Sequence, residues 1–291
     1  MALYTKAEIE RMKILKSAPA YLRAYEDVEF LHREDLRPVR LQLELLKPEL
    51  VLQQQGITST VVVFGSTRTG ETAELKPQVE ELEKKLAADP GNQKLSAELK
   101  IQKRLLAKSR YYDEARQFAR LVSTTCQTQG QCDYVIVTGG GPGIMEAANR
   151  GAFDAGAKTI GFNITLPAEQ YPNPYITPEL CFQFHYFALR KMHFLMRARA
   201  MVAFPGGFGT MDELFETLTL AQTGKVNPMP VILFGREFWT KTINFEYLRD
   251  EGVIAAEDLD LFSYAETAQE AWDMIQSYYR SRGQGTAPKK E

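Results

Sequence analysis

The feature that most constrains the fold is a short apolar run that enters a glycine-rich loop and continues with helical spacing. Residues 200–214 read AMVAFPGGFGTMDEL. Glycine permits a sharp turn and lets a ligand approach the main chain closely. The first turn of the following helix carries unpaired N–H groups and the positive end of the peptide dipoles, which together bind anions. We therefore expect a phosphate-binding loop here, with the carboxylate of Glu213 beside it.

The same arrangement of strand, glycine loop and helix occurs once more in the chain, and a further strand-like run precedes both. A β-branched run over 60–66 ends in Gly-Ser, and an apolar run over 133–138 leads into the glycine cluster 139–143. Strands that alternate with helices predict an α/β fold, with a mostly parallel sheet covered by helices on both faces. Such sheets bind ligands at the carboxyl ends of their strands. Ser66, Thr67 and Arg68 therefore either face the site or form only a polar turn.

Segments of different composition predict additions to this sheet. We expect a helical extension over 1–55, a nucleotide-binding domain over 56–280 and a disordered tail over 281–291. Leucines at helical spacing, interrupted by Asp-Pro-Gly-Asn, predict a helical hairpin inserted over 74–109. A structural cap is favoured over a partner-binding arm for the extension. A structural or oligomeric role is favoured over a catalytic one for the hairpin.

Composition limits the class of partner. The net charge of −2 gives no electrostatic case for nucleic acid or an anionic membrane, and no apolar run is long enough to span a bilayer. Three cysteines without CxxC spacing indicate reduced thiols in a cytoplasmic protein. Three scattered histidines give no metal site. The expected partner is therefore a small molecule held at a local anion site.

The glycine cluster does not match the two common phosphate motifs. Glu146 stands where the third glycine of the dinucleotide motif GxGxxG belongs, and no Gly-Lys-Ser/Thr follows either loop. Glycines could also serve only as tight turns between strand and helix. We expect no NAD, no nucleoside triphosphate site and no cofactor.

Three motifs together resemble one known family. Residues 205–213 fit the pattern PGGxGTxxE, the upstream cluster reads GGGPGIME, and the basic helix that precedes residue 200 contains Arg190 and Lys191. This combination is similar to the LONELY GUY (LOG) family, over about residues 58–250 apart from the insertion. The resemblance implies a Rossmann-like fold and a homodimer. It also implies a nucleoside 5′-monophosphate phosphoribohydrolase, which releases a nucleobase and ribose 5-phosphate.

The resemblance also implies a set of site residues. Arg190 and Glu213 would be catalytic, and the substrate would be an AMP-like nucleotide. The 5′-phosphate would be held by Gly206, Gly207, Gly209 and Thr210. Further contacts to the nucleotide would come from Lys191, Gly140, Gly141, Gly143 and Met145. Ser66 joins this set because it follows a strand whose carboxyl end should face the site.

Glu213 also distinguishes two classes of function. A carboxylate can stabilise the positive charge that develops on a sugar as its base leaves, by analogy with glycoside hydrolysis. The alternative is a nucleotide or cofactor carrier, or a sensor, that uses the same loop without turnover. Glu213 favours the enzyme, because a pure phosphate binder gains nothing from a carboxylate near its anion.

Overall fold

The structure of the chain is a computed structural model that describes residues 4–127, 132–166 and 171–283. Its contacts form two compact units, Met1–Glu49 and Leu50–Glu291. The domain boundaries drawn from the sequence stay predictions. Most of the tail predicted over 281–291 lies outside the described residues, from 284 onward.

The first unit is helical. It contains α1 (Lys6–Ser17), α2 (Val28–Leu31) and the beginning of α3 (Arg37–Gln54). Helix α1 begins at a capping box, in which the Glu8 N–H donates to the Thr5 hydroxyl and the Thr5 N–H donates to the Glu8 carboxylate. The Arg40 guanidinium of α3 donates to the Leu31 carbonyl at 2.8 Å and ties the two later helices together.

The second unit alternates strands and helices along the chain. Its strands are β1 (Thr60–Phe64), β2 (Val135–Thr138), β3 (Thr159–Ile164), β4 (Cys181–Phe184), β5 (Ala198–Ala203), β6 (Val231–Phe234) and β7 (Ser263–Ala265). Its helices are α4 (Thr72–Ala88), α5 (Gln93–Ala107), α6 (Arg110–Cys126), α7 (Ile144–Asp154), α8 (Phe187–Met196), α9 (Phe208–Gln222), α10 (Arg236–Thr242), α11 (Phe245–Asp250) and α12 (Ala268–Ser281).

The strands form one sheet in the order β4-β3-β2-β1-β5-β6-β7, and every neighbouring pair is parallel. The chain builds outward from β1 on one side and then returns to build outward from β5 on the other. The order therefore reverses between β1 and β5, where open α/β sheets form their ligand crevice. The predicted Rossmann-like α/β class is confirmed.

Alternate side chains of the strands enter two separate cores, one on each face of the sheet. Val61 and Val63 of β1 pack with residues of α6, α7 and α12, among them Phe118 and Trp272. On the other face, the neighbouring β1 residues pack with residues of α8, α9 and α10. Burial of each large apolar side chain contributes about 1.5–3 kcal/mol, so both helical layers are held mainly by this face-by-face packing.

Backbone hydrogen bonds join the three glycine loops at the carboxyl edge. The Phe204 N–H donates to the Phe64 carbonyl at 2.8 Å, and the Ser66 N–H donates to the Pro205 carbonyl at 3.0 Å. The Ile144 N–H donates to the Ser66 carbonyl at 3.1 Å. The loop after β1 is therefore held between the loops that follow β2 and β5.

Helices α4 and α5 lie between β1 and α6 in the chain and pack on each other through Val79, Leu82 and Leu99. At the start of α4, the Glu71 carboxylate accepts from Arg150 at 2.5 Å and lies 3.5 Å from the guanidinium of Arg116. These half-buried ion pairs connect the first residues of the hairpin to α6 and α7.

We predict that Gly143→Ala destabilises the protein by about 2–4 kcal/mol. Gly143 has a φ of +76°, and a Cβ there would overlap the Ser66 carbonyl oxygen. The substitution therefore adds a steric overlap to the cost of a left-handed conformation. The matched control is Gly156→Ala, whose φ is +66° and whose Cβ would meet nothing within 4 Å, so it should cost only about 1 kcal/mol. Urea unfolding measures both, and equal losses would contradict the predicted contact.

Candidate functional site

A cleft of about 530 Å³ lies at the carboxyl ends of β1 and β5. It is lined by residues 64–68, Met145, Phe187, Arg190, residues 207–210, Asp212 and Glu213. The cleft therefore stands where the strand order reverses, and its walls come from the loops after β1 and β5 with the beginnings of α7, α8 and α9.

The loop after β5 presents unused backbone donors to this cleft. Gly207 is the N-cap residue of α9, and as a glycine it has no side chain that could accept from the first amides of the helix. Within the described residues, the N–H groups of Gly207, Phe208 and Gly209 have no protein acceptor. A Cβ at Gly207 or Gly209 would meet nothing within 4 Å, so no other part of the described protein packs against the Cα atoms of this loop on that side. Uncapped amides at a helix N-terminus bind a phosphate or another anion.

Thr210 takes part in this loop differently from its neighbours. Its N–H donates to the Gly207 carbonyl at 3.1 Å, and the Met211 N–H donates to the same oxygen at 3.0 Å. The amide of Thr210 thus already has an acceptor within the first turn. Its side chain lies against Gly206, where a Cβ would overlap the Thr210 hydroxyl oxygen. The hydroxyl is therefore the group of Thr210 that can serve a ligand.

Glu213 is the carboxylate at the base of the cleft. It is 5% exposed, and in the part of the chain that the structure describes its carboxylate makes no hydrogen bond or ion pair. Burial raises the pKa of Glu213 to about 7, while the positive charges of Lys191 and Arg190 act to lower it. Near neutral pH this side chain exists in both protonation states.

The guanidinium of Arg190 is fixed by the protein. Its Nε donates to the Phe162 carbonyl at 2.7 Å, its Nη2 lies 3.5 Å from the Gly139 carbonyl, and its Cζ lies 5.2 Å from the ring centre of Phe194. Burial lowers the pKa of Arg190, and the nearby Glu213 opposes that change. The arginine is therefore a half-buried, preoriented cation at the wall of the cleft.

Gly139 leaves room for this arginine, because a Cβ at that position would stand 2.5 Å from Nη2 of Arg190. The neighbouring glycines pack inside the protein. The carbonyls of Gly140 and Gly141 both accept from Asn173. Gly140 and Gly143 have positive φ angles. This loop shapes the wall behind Arg190.

Lys191 points away from the cleft toward α9. Its Nζ lies 2.9 Å from the Asp212 carboxylate and 2.8 Å from the Glu216 carboxylate. Burial alone would lower the pKa of Lys191, but the hydrogen bonds to these two acids outweigh it and the pKa is raised. Lys191 therefore connects α8 to the turn of α9 that contains Glu213.

The structure brings together only part of the residue set predicted from the sequence. The predicted residues that line the cleft are Ser66, Met145, Arg190, Gly207, Gly209, Thr210 and Glu213. Those that do not line it are Gly140, Gly141, Gly143, Lys191 and Gly206.

Sequence reasoning missed the aromatic residues of the cleft. Phe64, Phe187 and Phe208 all line it, and Phe208 is 93% exposed. The available signal was the position of Phe208 inside the glycine motif, where a loop residue has no core to enter. In the described ranges, no cluster of three or more histidine, cysteine or acidic residues could hold a metal, and no helix is long and apolar enough to cross a bilayer.

Comparisons with known proteins find similarity in the region that contains the PGGxGTxxE motif. A family model described as "Possible lysine decarboxylase" matches residues 145–275. The chain is 28% identical over 153 residues to a probable cytokinin riboside 5′-monophosphate phosphoribohydrolase, LOGL3, of Oryza sativa subsp. japonica, with 50% of this chain and 68% of that protein covered. It is also 28% identical over 149 residues to the phosphoribohydrolase LOG3 of Arabidopsis thaliana, with 50% and 67% covered.

Among solved structures, a molybdenum cofactor carrier protein from Chlamydomonas reinhardtii matches with a TM-score of 0.46 and 18% identity, over 77% of this chain and 99% of that chain. The two sequence comparisons confirm the resemblance drawn from the PGGxGTxxE motif.

We predict that Glu213→Gln stabilises the folded protein at alkaline pH. The folded pKa of about 7 lies above the ordinary 4.5, so the folded state binds the proton more tightly than the unfolded state. The contribution of Glu213 to stability is complete below pH 4.5 and is lost as the pH rises through about 7. At pH 8 the variant should be more stable by roughly 2–3 kcal/mol. Urea unfolding at pH 5 and pH 8 measures the difference, which should shrink at the lower pH; no difference at pH 8 would refute it.

Proposed function

We propose that this chain, which belongs to the LOG family, hydrolyses the N-glycosidic bond of a nucleoside 5′-monophosphate to release a nucleobase and ribose 5-phosphate. The observation that carries the proposal is one cleft that contains both uncapped helix amides and a buried carboxylate to which no described residue donates a hydrogen bond. The amides suit the phosphate at one end of the substrate, and the carboxylate suits the sugar.

The phosphate is the anchor in this proposal. The open amides of Gly207, Phe208 and Gly209 and the dipoles of α9 bind its oxygens. The hydroxyls of Thr210 and Ser66 line the same cleft and can donate to the phosphate as well. Binding energy from a group that does not react then aligns the bond that does.

Glu213 acts on the sugar. Positive charge develops at C1′ as the bond to the base breaks, and the ionised carboxylate stabilises that charge or takes a proton from the attacking water. Water adds to C1′, and the base leaves with the bonding electrons and gains a proton. With a pKa of about 7, Glu213 is ionised in much of the enzyme at neutral pH and can still accept a proton.

Arg190 positions the nucleotide. Two of its donors are directed to the Phe162 and Gly139 carbonyls, so the guanidinium plane is fixed before substrate arrives. The remaining edge can hold the ribose, and its charge favours the ionised form of Glu213. A preoriented cation needs little reorganisation in the transition state.

The relatives support a nucleotide as the substrate, since the rice and Arabidopsis proteins are named for cleaving cytokinin riboside 5′-monophosphates. The proposed reaction consumes only the nucleotide and water and needs no metal or cofactor. We also propose that the protein works in the cytoplasm, where its three free cysteines stay reduced.

We further propose a homodimer that forms through α8 and α9. Met192 and Met196 of α8 are each 47% exposed, and Phe215 of α9 is 40% exposed. The two methionines line a groove of about 460 Å³ that α8 and α9 share. Apolar side chains exposed together on one surface favour association, and a second copy would present the same surface.

The reaction predicts a clear outcome with AMP. Wild-type protein should release adenine and ribose 5-phosphate, with kcat/KM rising as the pH passes about 7 and Glu213 ionises. Glu213→Gln should lower kcat by at least about a hundredfold and retain AMP binding, because the phosphate contacts remain. Chromatography of the released base measures turnover, and calorimetry measures binding.

The matched control is Arg120→Ala, which removes an exposed charge on α6 outside the cleft and should leave both quantities unchanged. AMP binding without base release from any common nucleoside monophosphate would refute the hydrolase and favour the carrier or sensor.

Association predicts a mass of twice the 33.0 kDa chain in sedimentation or light scattering. Met192→Glu places a charge in the shared apolar surface and should shift the protein toward monomer, since burying an unpaired charge is costly. Val253→Glu is the matched control, because it adds the same charge to an exposed apolar side chain that lies on neither helix. Equal dimer fractions in both variants would exclude this surface.

A further inference from the structure

We propose that Arg68 determines the specificity of this site for phosphorylated nucleosides, by placing its guanidinium on the 5′-phosphate that the α9 amides hold. The inference rests on the proposed function, because it takes a nucleoside 5′-monophosphate as the ligand. It adds a residue from a different loop, the one that follows β1.

The main chain holds Arg68 beside the phosphate loop. The Ser66 N–H donates to the Pro205 carbonyl, directly before the glycines at the start of α9. The Arg68 N–H donates in turn to the Ser66 hydroxyl at 3.1 Å. Arg68 lines the same cleft as Gly207, Gly209 and Thr210. Its backbone is thus fixed while its side chain stays exposed.

Arg68 is the cation of the cleft that is available to bind a ligand. Among the described residues that line it, Arg68 and Arg190 are the basic ones, and Asp212 and Glu213 are the acidic ones. Arg190 donates to main-chain carbonyls, and Asp212 pairs with Lys191. In the described part of the chain, the Arg68 side chain has no hydrogen bond or ion pair of its own.

The phosphate needs such a charge. A phosphate monoester carries about −1.5 to −2 charges near neutral pH, whereas a helix N-terminus supplies the equivalent of roughly +0.5. Amides alone therefore leave most of the charge uncompensated in a partly enclosed cleft. A guanidinium can donate to two phosphate oxygens at once, and such charge-assisted bonds are about twice as strong as neutral ones.

In this role Arg68 raises the affinity for a nucleotide and not the affinity for a nucleoside that lacks the phosphate. The α9 amides still fix the position of the phosphate when the Arg68 side chain is absent, so Arg68 adds affinity without changing the alignment of the reacting bond. Its loss should therefore raise KM and leave kcat almost unchanged. A nucleoside, which lacks the phosphate, gains nothing from Arg68.

The experiment compares wild type, Arg68→Ala and Arg68→Lys, with Arg120→Ala as the control that removes an exposed charge elsewhere. Kinetics with AMP give kcat and KM, and calorimetry gives the affinities for AMP and adenosine. For Arg68→Ala we expect the KM and Kd for AMP to rise about ten- to a hundredfold, with kcat within about twofold. Adenosine affinity should not change.

Two further readouts separate a charge contact from a structural role. Arg68→Lys should recover part of the AMP affinity, since a lysine keeps the positive charge but cannot donate to two phosphate oxygens in the bidentate geometry of a guanidinium. Added salt should weaken AMP binding to wild type more than to Arg68→Ala, because salt screens an exposed charge pair. Arg120→Ala should behave as wild type in every assay.

The outcomes separate this inference from the proposed function. AMP turnover with an unchanged KM in Arg68→Ala would overturn the role of Arg68 and leave the hydrolase standing. Selective loss of AMP affinity in Arg68→Ala, in a protein that never releases base, would support Arg68 and end the hydrolase. Equal losses for AMP and adenosine would overturn the inference, because they would show a disturbed cleft.

Discussion

The site depends on the backbone hydrogen bonds that join the loops at the carboxyl edge of the sheet. The Phe64 and Pro205 carbonyls accept from the loop opposite, and the Ser66 carbonyl accepts from the first residue of α7. Within the part of the chain that the structure describes, the next amides, at the start of α9, have no protein acceptor. The same parallel sheet that satisfies its own main chain therefore creates the unsatisfied donors that a ligand can complete.

Glu213 introduces a second constraint, because a buried carboxylate costs folding energy unless it is neutralised or paired. The positive charges of Lys191 and Arg190 lie near it, but no residue in the described ranges donates a hydrogen bond to it. Lys191 is neutralised in turn by Asp212 and Glu216. A carboxylate kept partly protonated at neutral pH is suited to proton transfer. Its burial lowers the stability of the folded protein, as is common for groups placed to react rather than to stabilise the fold.

The sequence was sufficient to predict the fold class, because β-branched runs, glycine loops and helical spacing are local properties that recur along the chain. It also predicted unpaired amides at the start of the helix that follows the glycine loop, with the carboxylate of Glu213 beside them. It did not indicate that this carboxylate is buried. It could not predict that Lys191 lies on Asp212 and Glu216, since that contact depends on the distance between two helices. Nor could it show that Asn173 holds the carbonyls of Gly140 and Gly141, which are more than thirty residues away in sequence.

The position of α4 and α5 directly after the cleft loop has an evolutionary consequence. The loop that contains Arg68 is fixed by the sheet at Ser66 and by the ion pairs of Glu71 with Arg116 and Arg150 at its other end. Farther along the hairpin, Val79, Leu82 and Leu99 form a small core of their own. The turn between α4 and α5 can therefore be lengthened, shortened or recruited as an attachment point for other proteins without altering the residues that line the cleft.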